Sequence, residues 1–422
     1  MMLRFTKVLF LLLVVSLPLV RPFYTRLFGL VVPSTDFIFL FAFGFWLIAI
    51  LRGECRLRIS KFYFFLGFYA LSLTVSTVFS INPIQSFYKL LGEFYLLLLC
   101  ILTFNLAHSM DFLKQITAAW LFGTGITILA ALAGIFLFYL GYKTQINNYF
   151  LFHYGTLPPG NYPRLQALFV NANMLCDFLN VSLMLTVLAD KLGWLKKIPS
   201  RILQFGIWFT AFFTISPGLG GLFLSFGVWL WAKFHLAGRK NSAYFTCLSG
   251  IFLALVFFAV TSISPDTENT AQNFNLPFTE QKFEPSVRIL IWQDTLKTIG
   301  HYPFTGKGTG TGVAAVKYTV LSGENQFLTD AHNVWLNIFG QLGFFGFIAF
   351  LSFCLYLLWS CKFYLLDQTD KSFIQTALSC AFLGAFLFQG LQGSFEDARH
   401  LWILFGLLAS LGESDFAENN NV

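Results

Sequence analysis

Residues 305–313 read TGKGTGTGV, four glycines at alternate positions with Lys307 between the first two. A glycine-rich stretch beside a lysine is a common way to hold nucleotide phosphates. Whether this one can do so depends on the side of a membrane it occupies, because the rest of the chain is a membrane protein by composition. Of its 422 residues, 56% are hydrophobic and only 11% are charged. A soluble domain carries about 25% charged residues, so this chain has too few to cover a surface in water. The 55 phenylalanines lie in long apolar runs, whereas barrel strands alternate apolar and polar residues in short segments. The expectation is an all-α, polytopic membrane protein.

Apolar runs predict twelve helices, near 8–21, 34–51, 62–80, 87–106, 116–140, 167–188, 202–216, 219–232, 243–263, 333–359, 374–391 and 399–412. Several approach the ~20 residues that cross a hydrocarbon core of ~30 Å. The first run resembles a signal peptide, but Pro18 interrupts it and no small-x-small cleavage site follows, so it is read as a retained helix. Lys and Arg concentrate in cytoplasmic loops. With both termini cytoplasmic, the clusters RGECRLRISK (52–61) and DKLGWLKKIPSR (190–201) fall inside, as do Arg4, Lys7, Lys114, Lys233, Arg239, Lys240, Lys362 and Lys371. Residues 264–332 then form a long outer loop and 141–166 a shorter one. Together these keep Lys143, Arg164, Lys282, Arg288, Lys297, Lys307 and Lys317 outside against the bias, which suggests a use for them. The glycine stretch also faces outward, where there is no ATP. It lacks the G-x-x-x-x-G-K-[ST] pattern, since Gly308 follows Lys307, and no strand precedes it, so nucleotide binding is excluded. The seven cysteines are scattered with no C-x-x-C pair, giving neither a zinc site nor a disulfide framework. The net charge of +7 follows from topology, and no basic stripe interleaved with aromatics points to nucleic acid.

Three helices carry polar stripes at helical spacing: Asp330, Asn333, Asn337 and Gln341; Asn173, Asp177 and Asn180; and Gln389, Gln392 and Glu396, leading to Asp397 and Arg399. A charge at mid-bilayer costs roughly 2.5–3.5 kcal/mol on insertion scales, so such faces line a cavity or one another. Interhelical hydrogen bonding explains a single stripe; three beside the same outer loops favour a shared polar cavity open to the outside. Lys89 and Glu93, one turn apart, read as a structural ion pair or as substrate contacts. In the long loop, Ile289, Trp292, Leu296 and Ile299 predict an amphipathic helix with Pro285 in its first turn and Pro303 at its end, its apolar face resting on the membrane or capping the bundle. TDAHNVWLN then opens the tenth span, with Thr329 or Asp330 as N-cap and His332 in the first turn, where a helix N-terminus favours the neutral imidazole.

PRLQALFVNANMLCDFL (163–179), VRILIWQDTLKTIGHYPFTGKGTG (287–310), DAHNVWLNIFGQLGFFG (330–346) and EDARHLWILFGL (396–407) together resemble the O-antigen ligase/O-antigen polymerase superfamily of bacterial envelope glycosyltransferases. The third stretch is the most specific, with A-H-N, an apolar run and G-x-x-G. The resemblance implies a catalytic region over 161–412, preceded by N-terminal spans in 1–160 and followed by a cytoplasmic tail, 413–422. It implies an inverting glycosyltransferase of the bacterial inner membrane, acting at the periplasmic face without metal, nucleotide or other cofactor. The donor would be a glycan on undecaprenyl diphosphate, and the acceptor a lipid A–core sugar or a growing glycan within the surrounding membrane lipid. By similarity Arg288 and Arg164 would grip the diphosphate and His332 would serve the acceptor hydroxyl. Asn333, Arg399, Asn173 and Lys307 are the further candidate substrate contacts. The family often has S-x-S-R-G-A between spans seven and eight; here SPGLGGLF (216–223) has no arginine. One outer loop dominates and precedes the histidine-bearing helix, as in the ligases; a polymerase is the alternative. A transporter is the rival from another class, though the halves show no internal repeat.

Overall fold

The computed structural model describes residues 1–20, 24–27, 30–140, 151–155, 161–265, 274–275, 282–319, 325–361, 368–393 and 396–413. Among them are thirteen helices: α1 (Met2–Ser16), α2 (Ser34–Leu51), α3 (Phe62–Val78), α4 (Pro83–Leu106), α5 (Met110–Tyr139), α6 (Ala172–Lys191), α7 (Lys197–Phe213), α8 (Gly218–Leu236), α9 (Lys240–Val260), α10 (Val287–His301), α11 (Val334–Ser360), α12 (Asp370–Ala381) and α13 (Arg399–Gly412). Side chains cap several N-termini, Asn82, Ser109, Asn171, Asn333 and Thr369 each accepting from a backbone N–H in the first turn. The chain is an all-α, multi-pass membrane protein, but among the described residues eight helices, not twelve, are long and apolar enough to cross a membrane. The shortfall is geometric. Helices α1, α3, α7 and α13 have 15, 17, 17 and 14 residues, or roughly 21–26 Å at 1.5 Å per residue, less than a full core.

The loops add short antiparallel pairs that were not anticipated: β1 (Tyr24–Leu27) with β2 (Leu30–Pro33), β3 (Leu151–Gly155) with β4 (Asn161–Leu165), and β8 (Val316–Thr319) with β9 (Asn325–Leu328). A three-stranded piece joins β5 (Ile263–Pro265), β7 (Lys282–Pro285) and β6 (Phe274–Asn275), with β7 central. These pairings satisfy backbone groups that extended connections would otherwise leave open.

At the centre lies α6, whose apolar window is 89% buried, while α9 at 17% is almost wholly on the lipid side. Trp402 of α13 stacks on Phe353 of α11 with ring centres 6.2 Å apart, and Phe405 meets Phe386 edge-on at 5.0 Å. Beyond Ala381, α12 continues as a π-helical turn, 382–388, then a 3-10 turn, 389–391. Helix α11 is kinked at Gly343, whose φ of 68° and ψ of −166° lie outside the helical region. The bundle has two chemically distinct ends. At one, the Met1 ammonium meets Glu54 at 2.8 Å, Arg58 donates to Phe104 O and Ser410 Oγ at 2.8 Å, and Glu413 accepts from Ser60 and Tyr356. The basic clusters 52–61 and 190–201 adjoin this end. At the other end meet the segments 79–82, 214–217, 302–313, 329–333, 389–393 and 396–398, through contacts described next.

Candidate functional site

Strand β4 delivers Arg164 to the mouth of α6. Its Nε donates to Thr214 O at 2.6 Å and its Nη2 to Asn173 Oδ1 at 2.5 Å. Asn173 Oδ1 also accepts from Ser216 Oγ at 2.9 Å. Two predicted site residues, Arg164 and Asn173, are thus brought together across the α7–α8 turn, the same SPGLGGLF segment that lacks an arginine. The turn is strained, since Ile215 has φ +46°, and so does Ala167, three residues past Arg164.

His332 is the third non-glycine residue with positive φ, at +48°. It was expected inside the first helical turn; instead Asn333 is the N-cap, accepting from Leu336 N at 3.1 Å, and His332 lies just outside. Asp330 holds this conformation by accepting the His332 N–H at 2.7 Å. The predicted loop helix is α10, beginning at Val287 with Pro285 just before it rather than in its first turn. Its fully buried positions are Ile291 and Thr295; of the expected line Ile289, Trp292 and Ile299 are half-buried and Leu296 is 56% exposed. Trp292 Nε1 donates to Ala331 O at 3.1 Å, docking α10 beside His332. Arg288 at the start of α10 lies close enough for its charge to act on the imidazole. Burial pushes the His332 pKa below the usual histidine range; Asp330 opposes this and Arg288 adds to it.

Asn333 Nδ2 donates to Leu391 O at 3.2 Å, linking α11 to the 3-10 turn. Gln389 of that turn is buried against Gly218, next to Ser216 and the Arg164 group. The Arg164–Asn173 pair and the His332–Arg288 pair therefore lie on one connected set of turns. Behind them Asn337 donates to Glu396, and Lys89 bridges Glu93 at 3.2 Å and Asp397 at 2.9 Å. Lys89–Glu93 is an ion pair, as expected, with Asp397 as an added partner. Burial beside Asp397 and Asp330 pushes the Glu396 carboxyl up to about 8. Arg399 is taken up by Asp36, with Nε and Nη2 bonds of 2.6 and 2.7 Å, which occupies much of its donor fork. Asp36 and His400 were not anticipated. His400 Nε2 lies 2.8 Å from Asp177 Oδ2 in full burial, so that member of the α6 stripe is an interhelical pair.

The glycine stretch fits the break in α11. Lys307 N donates to Gly340 O at 2.9 Å and Gly308 N to Gln341 O at 3.0 Å. In return Phe344 N donates to Pro303 O at 2.8 Å and Phe345 N to Phe304 O at 3.3 Å. The kink frees these helical groups and the loop satisfies them. A Cβ on Gly306 would lie 2.1 Å from Gln341 O, so only glycine allows the approach. Lys307 Nζ donates to Gly312 O at 2.6 Å, closing its own turn. Among the described residues no group of three His, Cys, Asp or Glu is placed to hold a metal ion.

No curated protein matches the chain. A family model described as O-antigen ligase matches residues 203–351, from within α7 to the kinked α11. The matched part contains Arg288, Lys307, His332 and Asn333; Arg164, Asn173 and Arg399 lie outside it. Over this part of its length the chain matches the O-antigen ligase family, a partial match that suggests membership of that superfamily.

Proposed function

We propose that the protein is an O-antigen ligase-like glycosyltransferase of the bacterial inner membrane. It moves a glycan from undecaprenyl diphosphate to an acceptor hydroxyl, with a lipid A–core sugar favoured, at the periplasmic face. Residues 161–412 form its catalytic region, 1–160 its supporting spans and 413–422 a cytoplasmic tail. The observation that carries this reading is His332. It is held in a left-handed conformation beside Arg288, with its imidazole biased to the neutral form, inside the segment matching the O-antigen ligase family.

In this mechanism the acceptor oxygen forms a bond to the anomeric carbon as the bond to the diphosphate breaks, inverting that carbon. His332 takes the proton from the acceptor hydroxyl, help typically worth about 10²–10⁴ in rate. The electron pair leaves on the diphosphate, where Arg288 and Arg164 stabilise the added charge through forked donors. Asn173 positions Arg164, and Asn333 fixes the turn that presents His332. Arg399, engaged with Asp36, and Lys307, closing its loop, contribute to the shape of the site and keep donors for substrate oxygens.

The test is deletion of the gene, with complementation by wild type, Arg288→Ala or His332→Ala, and gel analysis of lipopolysaccharide and carrier-linked glycan. Loss of a ligase leaves bare core with long polymer on the carrier, and neither variant restores the wild-type pattern. Core bearing a single repeat unit would instead indicate a polymerase. Unchanged pools of both lipids would defeat the glycosyltransferase reading.

A further inference from the structure

A cavity of about 690 Å³ opens between α5 and α7, lined by residues outside the candidate site. Its size falls within the ~300–1,000 Å³ of small-molecule sites. The walls are apolar and open sideways: Phe122, Leu129, Ile202 and Phe205 line it while remaining 64–72% exposed, facing lipid in a membrane. Its shape follows from two glycines. At Gly206 a Cβ would touch Ile128 at 3.0 Å, so α5 and α7 close together there. Gly125 also lines the space and has nothing within 4 Å of its missing Cβ, which leaves the floor open. The lining extends from this contact toward Lys114, Trp194 and Pro199 on one side and to Leu132 and Phe209 on the other.

The open mouth is basic. Lys114 lines it, no Asp or Glu does, and Lys196, Lys197 and Arg201 flank the lining residues Leu195, Pro199 and Ile202, against Asp190 beside Ala189 and Asp111 one turn before Lys114. Lys7 lies over the Phe112 ring at 4.9 Å, which sets this mouth beside the N-terminus of α1, at the end carrying the basic clusters.

We propose that this groove binds one anionic glycerophospholipid, its acyl chain between α5 and α7 and its phosphate on Lys114. The lining along α5 runs from Lys114 to Leu132, about 27 Å at 1.5 Å per residue, long enough for one leaflet with its headgroup zone. The charge at the mouth selects an anionic over a zwitterionic headgroup. The assignment is independent of the glycan-transfer reading.

The experiment uses the delipidated full chain in detergent, with dioleoyl phosphatidylglycerol or dioleoyl phosphatidylcholine added and bound lipid counted by native mass spectrometry. Phosphatidylglycerol is expected to bind one to one and at least tenfold more tightly than phosphatidylcholine. Lys114→Gln should erase that preference while chain binding persists. Gly125→Leu, which projects into open space, should remove binding of both, while Gly44→Leu, at a helical glycine on α2 with equally open surroundings, should change nothing. If Gly125→Leu fails to fold by circular dichroism, Ala118→Phe fills the same space from an exposed lining position. The proposal is overturned if a folded groove-filling variant retains phosphatidylglycerol as wild type does. Equal binding of the two lipids, or displacement of phosphatidylglycerol by undecaprenyl phosphate in competition, overturns it as well.

Discussion

His332, Ala167 and Ile215 hold left-handed backbone conformations that cost non-glycine residues roughly 1–2 kcal/mol each. All three sit in turns that present the candidate Arg164 and His332, and strain of this kind persists where surrounding structure fixes it. For His332 the lowered pKa fixes the sign of a pH test. Above its folded pKa, which lies below the usual 6.5, the imidazole is neutral and can accept a proton; as pH falls through that value it charges and transfer stops. Asp330→Asn removes the charge that raises this pKa, so the acid limb of the rate profile should move to lower pH. A limb that stays put or moves upward would separate His332 from the rate. Arg399 makes a different expectation. Its partner Asp36 is half-buried at the start of α2, and breaking such a pair costs about 3–5 kcal/mol. Asp36→Ala should therefore lower the melting temperature in detergent markedly, and Asp36→Leu with Arg399→Met should recover much of it. If the recovered double variant transfers no glycan, Arg399 also touches substrate; if Asp36→Ala melts like wild type, the clamp has no structural weight.

The kinked α11 and the glycine loop form one unit at the level of elements. The sequence shows the glycine run and the G-x-x-G but predicts an unbroken helix over 333–359; the exchange of hydrogen bonds that joins residues 303–308 to 340–345 has no local signature. Gly343 carries the conflict: a Cβ there would lie 2.3 Å from Phe304 C and O, on top of a positive φ. Gly343→Ala should consequently destabilise the protein strongly in a thermal melt. Gly300→Ala in α10, where a Cβ meets open space, should be neutral or stabilising by about 0.5–1 kcal/mol. Equal melting of the two variants would show that the loop does not depend on the close approach. The same contrast explains the shifted face of α10. Hydrophobic periodicity chose Ile289, Trp292, Leu296 and Ile299; Trp292 does dock, onto Ala331, but the fully buried positions are Ile291 and Thr295.

Across the whole molecule, charge is sorted by end. The basic clusters gather where Met1, Glu54 and Glu413 meet, and the strained turns gather at the other end. By the positive-inside bias we propose that the first end is cytoplasmic. Lys317→Cys places a thiol at an exposed position of the long loop, while five of the seven native cysteines are buried. A membrane-impermeant maleimide should label this variant in intact spheroplasts and leave wild type nearly unlabelled. Labelling only after membrane disruption would invert the topology and remove the periplasmic site.

The sequence alone determined the membrane class, the helical runs and the clustering of basic residues, and it set the expectation that Arg164, Arg288 and His332 face outward. These follow from composition and local spacing, which act over a few residues and survive without tertiary context. Only the tertiary structure decided which polar groups neutralise one another. Asp36 meets Arg399 across 363 positions and Asp177 meets His400 across 223, so neither pairing could be read along the chain. It also decided that the glycines of TGKGTGTGV fill a broken helix, because a backbone donor finds its acceptor by proximity in space and glycine is what allows the approach.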